Sequence, residues 1–244
     1  MLTLIDERNK KYVVDGKKDF HTDLGVIKAE DIQNSKPGSI IKTHLGHEMK
    51  VIKANVNDYI DVMERRCTII LPKDIGIVIT YTGIGCGDKV VEAGTGAGAT
   101  TLRFSRVLGN EGKIYTYEKR KEFYEIAKRN IEKFGVKNVV MRYRDIRDGI
   151  IESDVDLVFL DMPDPWNVVE HAYEALKYGG WFVSYSPYVE QMKKTRKKCE
   201  EFNFSEIFTY ECLLREMEIK NDAVRPKTRM IGHTAYITFA RKVP

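Results

Sequence analysis

Three glycines and a set of acidic side chains stand out in this 244-residue sequence as groups able to do chemistry together. The stretch Val90-Val91-Glu92-Ala93-Gly94-Thr95-Gly96-Ala97-Gly98-Ala99 sets glycines at alternate positions directly after an apolar run. Glycines there let the backbone approach a ligand closely, and a helix opening just behind them offers unpaired N–H groups. The spacing is not the G-x-G-x-x-G of a dinucleotide turn, and no G-K-[ST] follows to make a phosphate loop. Glu92, just ahead of the turn, would repel a pyrophosphate but suits a sulfonium ligand with a free ammonium. Glu118 closes the next apolar run, where a carboxylate can accept hydrogen bonds from both hydroxyls of a ribose. Asp145 closes the one after, within reach of an adenine edge. Acids at successive strand ends around a glycine turn describe an adenosine without phosphates, which points to S-adenosylmethionine. A glycine turn alone is equally a tight connection, and acids at strand ends are commonly solvated; the shared register favours the ligand.

Leu160-Asp161-Met162-Pro163-Asp164-Pro165-Trp166 follows the fourth apolar run, at the same carboxyl edge. Its two prolines restrict the loop, so Asp161 is held. Methyl transfer from a sulfonium is an in-line displacement that needs a lone pair aimed at the methyl carbon. Adenine N1 has that lone pair without first losing a proton. It needs orientation, a dry site and a partner for the positive charge that develops on the ring. A fixed carboxylate accepting a hydrogen bond from the exocyclic N6 amine supplies the orientation and the partner. Asp161 is therefore the predicted catalytic residue, orienting the base rather than acting as an obligatory proton acceptor. Two other roles stay open: capping the next helix, and contacting the cofactor's ammonium, the latter compatible with catalysis.

The elements that must position these groups alternate. Strands are predicted at Lys89–Glu92, Lys113–Tyr117, Val139–Tyr143, Asp156–Leu160 and Trp181–Tyr185. Helices are predicted from Pro72 through Ile79, and over Ala97–Val107, Lys121–Phe134, Asn167–Lys177 and Val189–Phe202. Strands at Ser205–Leu214 and Thr234–Ala240 read as an antiparallel edge pair. The class is α/β, a doubly wound Rossmann-like sheet with antiparallel edge strands. Residues 1–65 differ: short apolar runs such as Lys11–Val14, Gly25–Ile27, Ser39–Lys42 and Met49–Ile52, broken by turn residues, suggest a small β domain, in outline a barrel. No helical period shows there before Asn57. The expected boundary lies between 1–65 and 66–244.

Composition narrows the setting. Lys and Arg number 40 against 36 Asp and Glu, a net charge of +4 too slight to diagnose nucleic-acid binding. Cys67, Cys86, Cys199 and Cys212 form no C-x-x-C pair and no histidines gather round them, so no metal is expected. They read as thiols of a reducing compartment, although a hyperthermophilic host would permit disulfides. The start lacks a leader pattern and no stretch approaches a membrane span, so a cytoplasmic protein is expected.

With these residues in hand, the chain resembles the tRNA (adenine-58-N1)-methyltransferase family of the archaeal and bacterial TrmI type over nearly its whole length. The resemblance is carried by Pro72-Lys73-Asp74, Glu92 to Gly98, Tyr117-Glu118, Asp161 to Trp166, Leu214-Arg215-Glu216, Val224-Arg225-Pro226 and Gly232-His233-Thr234-Ala235-Tyr236. It implies a class I methyltransferase domain behind a small β domain that serves oligomerisation or RNA contact, assembled as a homotetramer and methylating N1 of a T-loop adenosine, at position 58 with its 5′ neighbour left open. Carried over by position, Gly94, Thr95, Gly96, Ala97, Gly98, Ala99, Glu118, Asp145, Ile146 and Asp161 would line the cofactor site, and the segment before Pro72 would help close over it. Leu71 departs from the family, where Tyr or His often stands beside the target base.

N1 lies on the pairing edge of the base, so the nucleotide has to be extracted into a pocket. Tyr81, Trp166, Tyr185 and Tyr188 are candidate stacking surfaces, although each taken singly is expected in the core before it is expected as a platform. Basic groups for the phosphates cluster at Lys193–Lys198, on a predicted helix, at Arg225–Arg229, in a predicted loop, and at Arg65-Arg66. Two rival functions remain: the same cofactor acting on a protein carboxylate or small molecule, and a non-catalytic RNA-binding subunit. The Asp161 carboxylate would repel an anionic nucleophile, and a scaffold subunit has no need of the glycine turn.

Overall fold

The computed structural model describes all residues 1–244, in two compact units, Met1–Glu64 and Arg65–Pro244. In the first unit, β1 (Leu2–Ile5), β2 (Lys11–Val14), the hairpin β3 (Phe20–Thr22) and β4 (Gly25–Ile27), α1 (Ala29–Asn34), β5 (Ile40–Lys42), β6 (Glu48–Lys53) and α2 (Val56–Val62) follow in order. Four of the strands pair antiparallel as β2-β1-β6-β5. Leu4, Val14, Met49 and Val51 bury on one face with Ile27 and Ile32. The sheet ends at β2 and β5 without closing, so the expected barrel is an open sheet. Helix α1 was not legible because it is a turn and a half long and buries one side chain, Ile32, too little to print a period.

The second unit runs α3 (Pro72–Thr82), β7 (Lys89–Ala93), α4 (Ala99–Leu108), β8 (Lys113–Glu118), α5 (Lys121–Phe134), β9 (Val139–Tyr143), β10 (Val155–Leu160), α6 (Val169–Ala175), β11 (Leu176–Ser186), α7 (Val189–Glu201), β12 (Ser205–Glu211), β13 (Met217–Lys220), β14 (Ala223–Pro226) and β15 (Tyr236–Arg241). Seven strands order as β12-β15-β11-β10-β7-β8-β9, with β7 to β11 parallel and β15 antiparallel to both its neighbours. Alternation along β10 explains the layers. Val158 and Leu160 join Val169 and Ala172 of α6 on one face, while Leu157 and Phe159 meet Val78 of α3 and Phe104 of α4 on the other. After β7 the chain winds outward to β9, then returns to place β10 on the other side of β7. That reversal opens a crevice at the carboxyl ends of the strands.

Two expectations change. The helix foreseen over Asn167–Lys177 is a 3-10 turn at Pro165–Val168 followed by α6, and β11 begins five residues earlier than predicted. Leu176, 2% exposed, is drawn into register with Val155 and leaves the helix for the sheet. The loop foreseen around Arg225 is the hairpin β13–β14, with Ile219 opposite Val224 and Asn221 in the left-handed region at the turn.

The crevice depends on how closely β7 and β10 end. Asp161 N–H donates to the Ala93 carbonyl at 2.9 Å. Gly94 sits at φ +89°, and a Cβ there would fall 2.0 Å from the Asp161 carbonyl oxygen. Gly94→Ala should therefore cost about 3 kcal/mol or more. Urea unfolding checks this, and an unchanged midpoint would show that the turn relaxes cheaply.

Candidate functional site

The glycine turn leaves β7 with Gly94, Gly96 and Gly98 all at positive φ, and Gly98 caps α4. A Cβ on Gly96 would sit 3.1 Å from Cys67 Sγ, so the turn is a cradle that side chains would fill. Thr95 and Thr116 hydroxyls meet at 2.6 Å and anchor the turn on β8. Glu92, expected to face a cofactor ammonium, lines neither cavity at the carboxyl edge. It is 1% exposed beneath the turn, accepts the Thr101 hydroxyl at 2.5 Å, and its other oxygen has no hydrogen-bond partner. Burial pushes its carboxyl up to about 7.

Two cavities meet at the carboxyl edge and share Gly94, Arg120, Asp161, Met162 and Pro163. One, of about 380 Å³, runs along the glycine turn between the segment Cys67 to Ile70 and the residues Pro187, Tyr188 and Gln191. The other, of about 310 Å³, is bounded by Tyr117, Glu118, Arg144, Asp145 and Ile146. Asp161 borders both. Its carboxylate accepts no hydrogen bond from the protein, and burial lifts it to about 6, with Arg120 pulling down and Glu118 pushing up. An ordered, desolvated carboxylate with free lone pairs is what a hydrogen-bonded amine could use. The capping role is not seen, since the 3-10 turn after it has no side-chain cap.

Glu118 is 3% exposed and receives Gly96 N–H at 3.1 Å, Arg120 N–H at 3.0 Å and Arg120 Nε at 3.0 Å. Arg120 is a functional residue the sequence reading missed. Its guanidinium, stacked on Phe123 at 3.9 Å, lies between the two cavities, a position only the fold reveals. Asp145 caps the short turn Ile146–Asp148 and pairs with Arg147 at 2.5 Å, which holds its carboxyl down at about 2. Ile146, 3% exposed, lines the same cavity. The predicted residues Gly94 to Ala97, Ala99, Glu118, Asp145, Ile146 and Asp161 thus gather round the paired cavities. Gly98 supports the turn from behind, against Ile131 and Ala127. The glycine cradle, the strand-end carboxylate Glu118 and the apolar Ile146 fit a phosphate-free adenosine with an amino-acid arm.

The four candidate stacking aromatics separate. Tyr81 packs outside, on Phe208, Tyr210 and Phe239. Trp166 lies under Lys194 at 4.9 Å. Tyr185 donates to Asp74 at 3.3 Å and lines neither cavity. Only Tyr188 does. Asp74 also pairs with Lys73, whose Nζ donates at 2.7 Å to Asp74, to the Cys212 carbonyl and to Thr234. This cluster ties the start of α3 to the chain on either side of the β13–β14 hairpin. Leu71 precedes it and lines a separate groove with Leu214, Met230 and Ile231, not the Asp161 cavity.

The basic groups are partly spoken for. Arg196 pairs with Glu200 and Lys198 with Glu201, while Lys193 and Lys197 on α7 stand exposed. Arg225, on β14 rather than in a loop, pairs with Glu218 at 2.8 Å, and Lys227 pairs with Glu216 at 2.6 Å. Arg66 pairs with Glu122; Arg65 and Arg229 have no acid partner. All four cysteines are free thiols. No three His, Cys, Asp or Glu side chains gather to hold a metal, and no helix is long and apolar enough to cross a membrane.

Comparison with known proteins gives a consistent set. A family model described as tRNA methyltransferase complex GCD14 subunit matches residues 51–225. The tRNA (adenine(57)-N(1)/adenine(58)-N(1))-methyltransferase TrmI of Methanocaldococcus jannaschii is 43% identical, covering 99% of this chain and 94% of that protein. The tRNA (adenine(58)-N(1))-methyltransferase TrmI of Thermus thermophilus is 32% identical over 99% of this chain and 96% of its own. Among solved structures, a SAM-dependent O-methyltransferase from Thermotoga maritima superposes with TM-score 0.88 at 37% identity, covering 100% of this chain and 92% of that one. The tRNA (m1A58) methyltransferase TrmI from Aquifex aeolicus superposes with TM-score 0.79 at 27% identity, covering 100% and 96%.

The electrostatics of Asp161 yield a sign. Its folded carboxyl is raised above the unfolded value, so the native state holds the proton more tightly and ionisation opposes folding. That penalty is absent below pH 4 and complete above about 6. Asp161→Asn should therefore raise the melting temperature at pH 8 and leave it nearly unchanged at pH 4. Calorimetry at the two values tests it; an Asn variant less stable at pH 8 would mean that the carboxylate is well solvated.

Proposed function

This chain belongs to the tRNA methyltransferase family described as the GCD14 subunit, and from that membership we propose how its own residues carry out the reaction. The protein is an S-adenosylmethionine-dependent tRNA methyltransferase acting at N1 of adenosine in the T loop. When bound, the cofactor supplies a methyl group made electrophilic by its sulfonium.

The backbone of Gly94 to Ala99 would receive the cofactor's amino-acid arm, Glu118 its ribose hydroxyls, and Asp145 with Ile146 its adenine. Glu118 would share its oxygens between ribose and Arg120. Asp161 would accept a hydrogen bond from N6 of the target adenine, hold N1 toward the methyl group, and balance the positive charge that methylation leaves on the ring. No proton leaves N1, so no base is needed at the moment of attack. The observation that carries this reading is the Asp161 carboxylate, half-buried, unpartnered and shared by both cavities. The target is adenosine 58, and adenosine 57 is a second candidate because the Methanocaldococcus relative is named for both positions.

A homotetramer is supported by apolar surface left on and beside the β13–β14 hairpin, where Leu213, Leu214, Ile219 and Val224 are each more than half exposed. A role for residues 1–65 in oligomer or tRNA contact is supported by the unpaired edge of β5. A cytoplasmic setting is the reading that a tRNA substrate supports.

Asp161→Ala should lower methyl transfer to tRNA about a hundredfold or more while the fold persists. Nucleoside mass spectrometry of treated tRNA should give N1-methyladenosine at position 58. Label appearing as an O-methylated nucleoside, or only in protein, would sink the reading. Substituting Lys193, Lys197 or Arg229, three cations without an acid partner, should in each case reduce the slope of log affinity for tRNA against log salt by about one. A slope that stays put moves the RNA surface elsewhere.

A further inference from the structure

Leu71 carries no ring, and of the four candidate aromatics only Tyr188 lines the Asp161 cavity. Tyr188 is 65% exposed and no other ring in the protein packs on it. An ordinary surface side chain of that kind would be left to wander. The peptide group that carries Tyr188 is instead fixed on both sides. Its carbonyl oxygen, that of Pro187, accepts from His233 Nε2 at 2.8 Å, and its N–H, that of Tyr188, donates to Gln191 Oε1 at 3.2 Å.

Both ties lead somewhere useful. Gln191 Nε2 donates to the Pro163 carbonyl at 2.8 Å, two residues beyond Asp161 in the same loop. His233 Nδ1 meets Glu211 Oε1 at 2.5 Å, which anchors the ring to the end of β12. With acceptors on both nitrogens, the imidazole carries both protons. The Tyr188 carbonyl in turn accepts Met192 N–H at 3.1 Å, so the peptides on both sides of its Cα are held and the direction of the Cα–Cβ bond is set. What stays free is the turning of the ring, which lines the same cavity as the Asp161 carboxylate.

We propose that Tyr188 is the platform on which the adenine extracted from tRNA stacks beside Asp161, set in place by the Gln191–Pro163 tie and the His233–Pro187 clamp. The proposal rests on the tRNA reading above. A phenol face accepts a purine without reading its edge, which leaves N6 and N1 to Asp161 and the methyl group. The face also attracts a ring that is becoming cationic, so the contact strengthens as the methyl transfers. His233 and Gln191 are positioning residues here, acting through Tyr188.

The test uses the full chain, a tRNA transcript, and calorimetry of cofactor binding. Tyr188→Leu should lower kcat/KM for tRNA about ten- to a hundredfold while cofactor affinity holds, and Tyr188→Phe should recover most of that loss. His233→Ala should lower kcat/KM in the native background and add little on top of Tyr188→Leu, because the two act through one contact. A Leu variant as active as the native protein would overturn the platform, and so would a Phe variant as impaired as Leu. Cofactor affinity falling in step with activity would reassign Tyr188 to the cofactor. Additive losses would remove the clamp. Native protein that transfers no methyl to tRNA would sink the functional reading instead, a result distinct from all of these.

Discussion

The meeting of β7 and β10 at their carboxyl ends governs the site. No side chain fits between Gly94 and the Asp161 carbonyl, so the glycine turn and the acid loop are pressed into one surface. The hydrogen bond from Asp161 N–H to Ala93 is the last rung of that pairing. The reversal of winding at β7 opens the crevice, and the contact decides that a carboxylate sits at its centre. A bulkier turn would push β10 aside and carry Asp161 with it.

Charge is distributed unevenly around that point. Glu92 and Asp161 are both lifted above the usual carboxylate range by burial, while Asp145 is held low by Arg147. Arg120 is the one cation shared by the two cavities, and it is committed to Glu118. The result is a site whose central carboxylate keeps spare acceptor capacity, suited to amines, hydroxyls and a cationic sulfur, with Lys119, Arg120 and Arg144 at the rim of the second cavity. Such a site works against its own stability, because a desolvated carboxylate with no partner is retained for what it can accept.

Segments far apart in sequence hold the rim. Lys73, buried at the start of α3, reaches Cys212 and Thr234, and His233 reaches back to Pro187. The late chain beyond β12 therefore braces the Pro187 wall of the cavity and the start of α3 behind the Cys67–Ile70 wall through hydrogen bonds, although its own hairpin exposes apolar residues to solvent. This division suits an enzyme that must keep its small-molecule side rigid while a large, irregular substrate docks outside.

What the sequence determined by itself was the part that local spacing encodes. The strand and helix order, the glycine turn and the acids that close successive strands are all properties of short windows, because period and turn chemistry need only near neighbours. Residues 121–134 and 139–143 form the predicted elements without a shift. Tertiary structure decided the rest, where the outcome depends on what lies across the fold. It drew Leu176 out of its helix into register with Val155, turned Glu92 under the glycine loop, and sent Tyr81, Trp166 and Tyr185 away from the cavity. It also set Arg120 between the two chambers and fixed Tyr188 from both sides. Direction and partnership of a side chain come from residues tens of positions away, and no local pattern carries them.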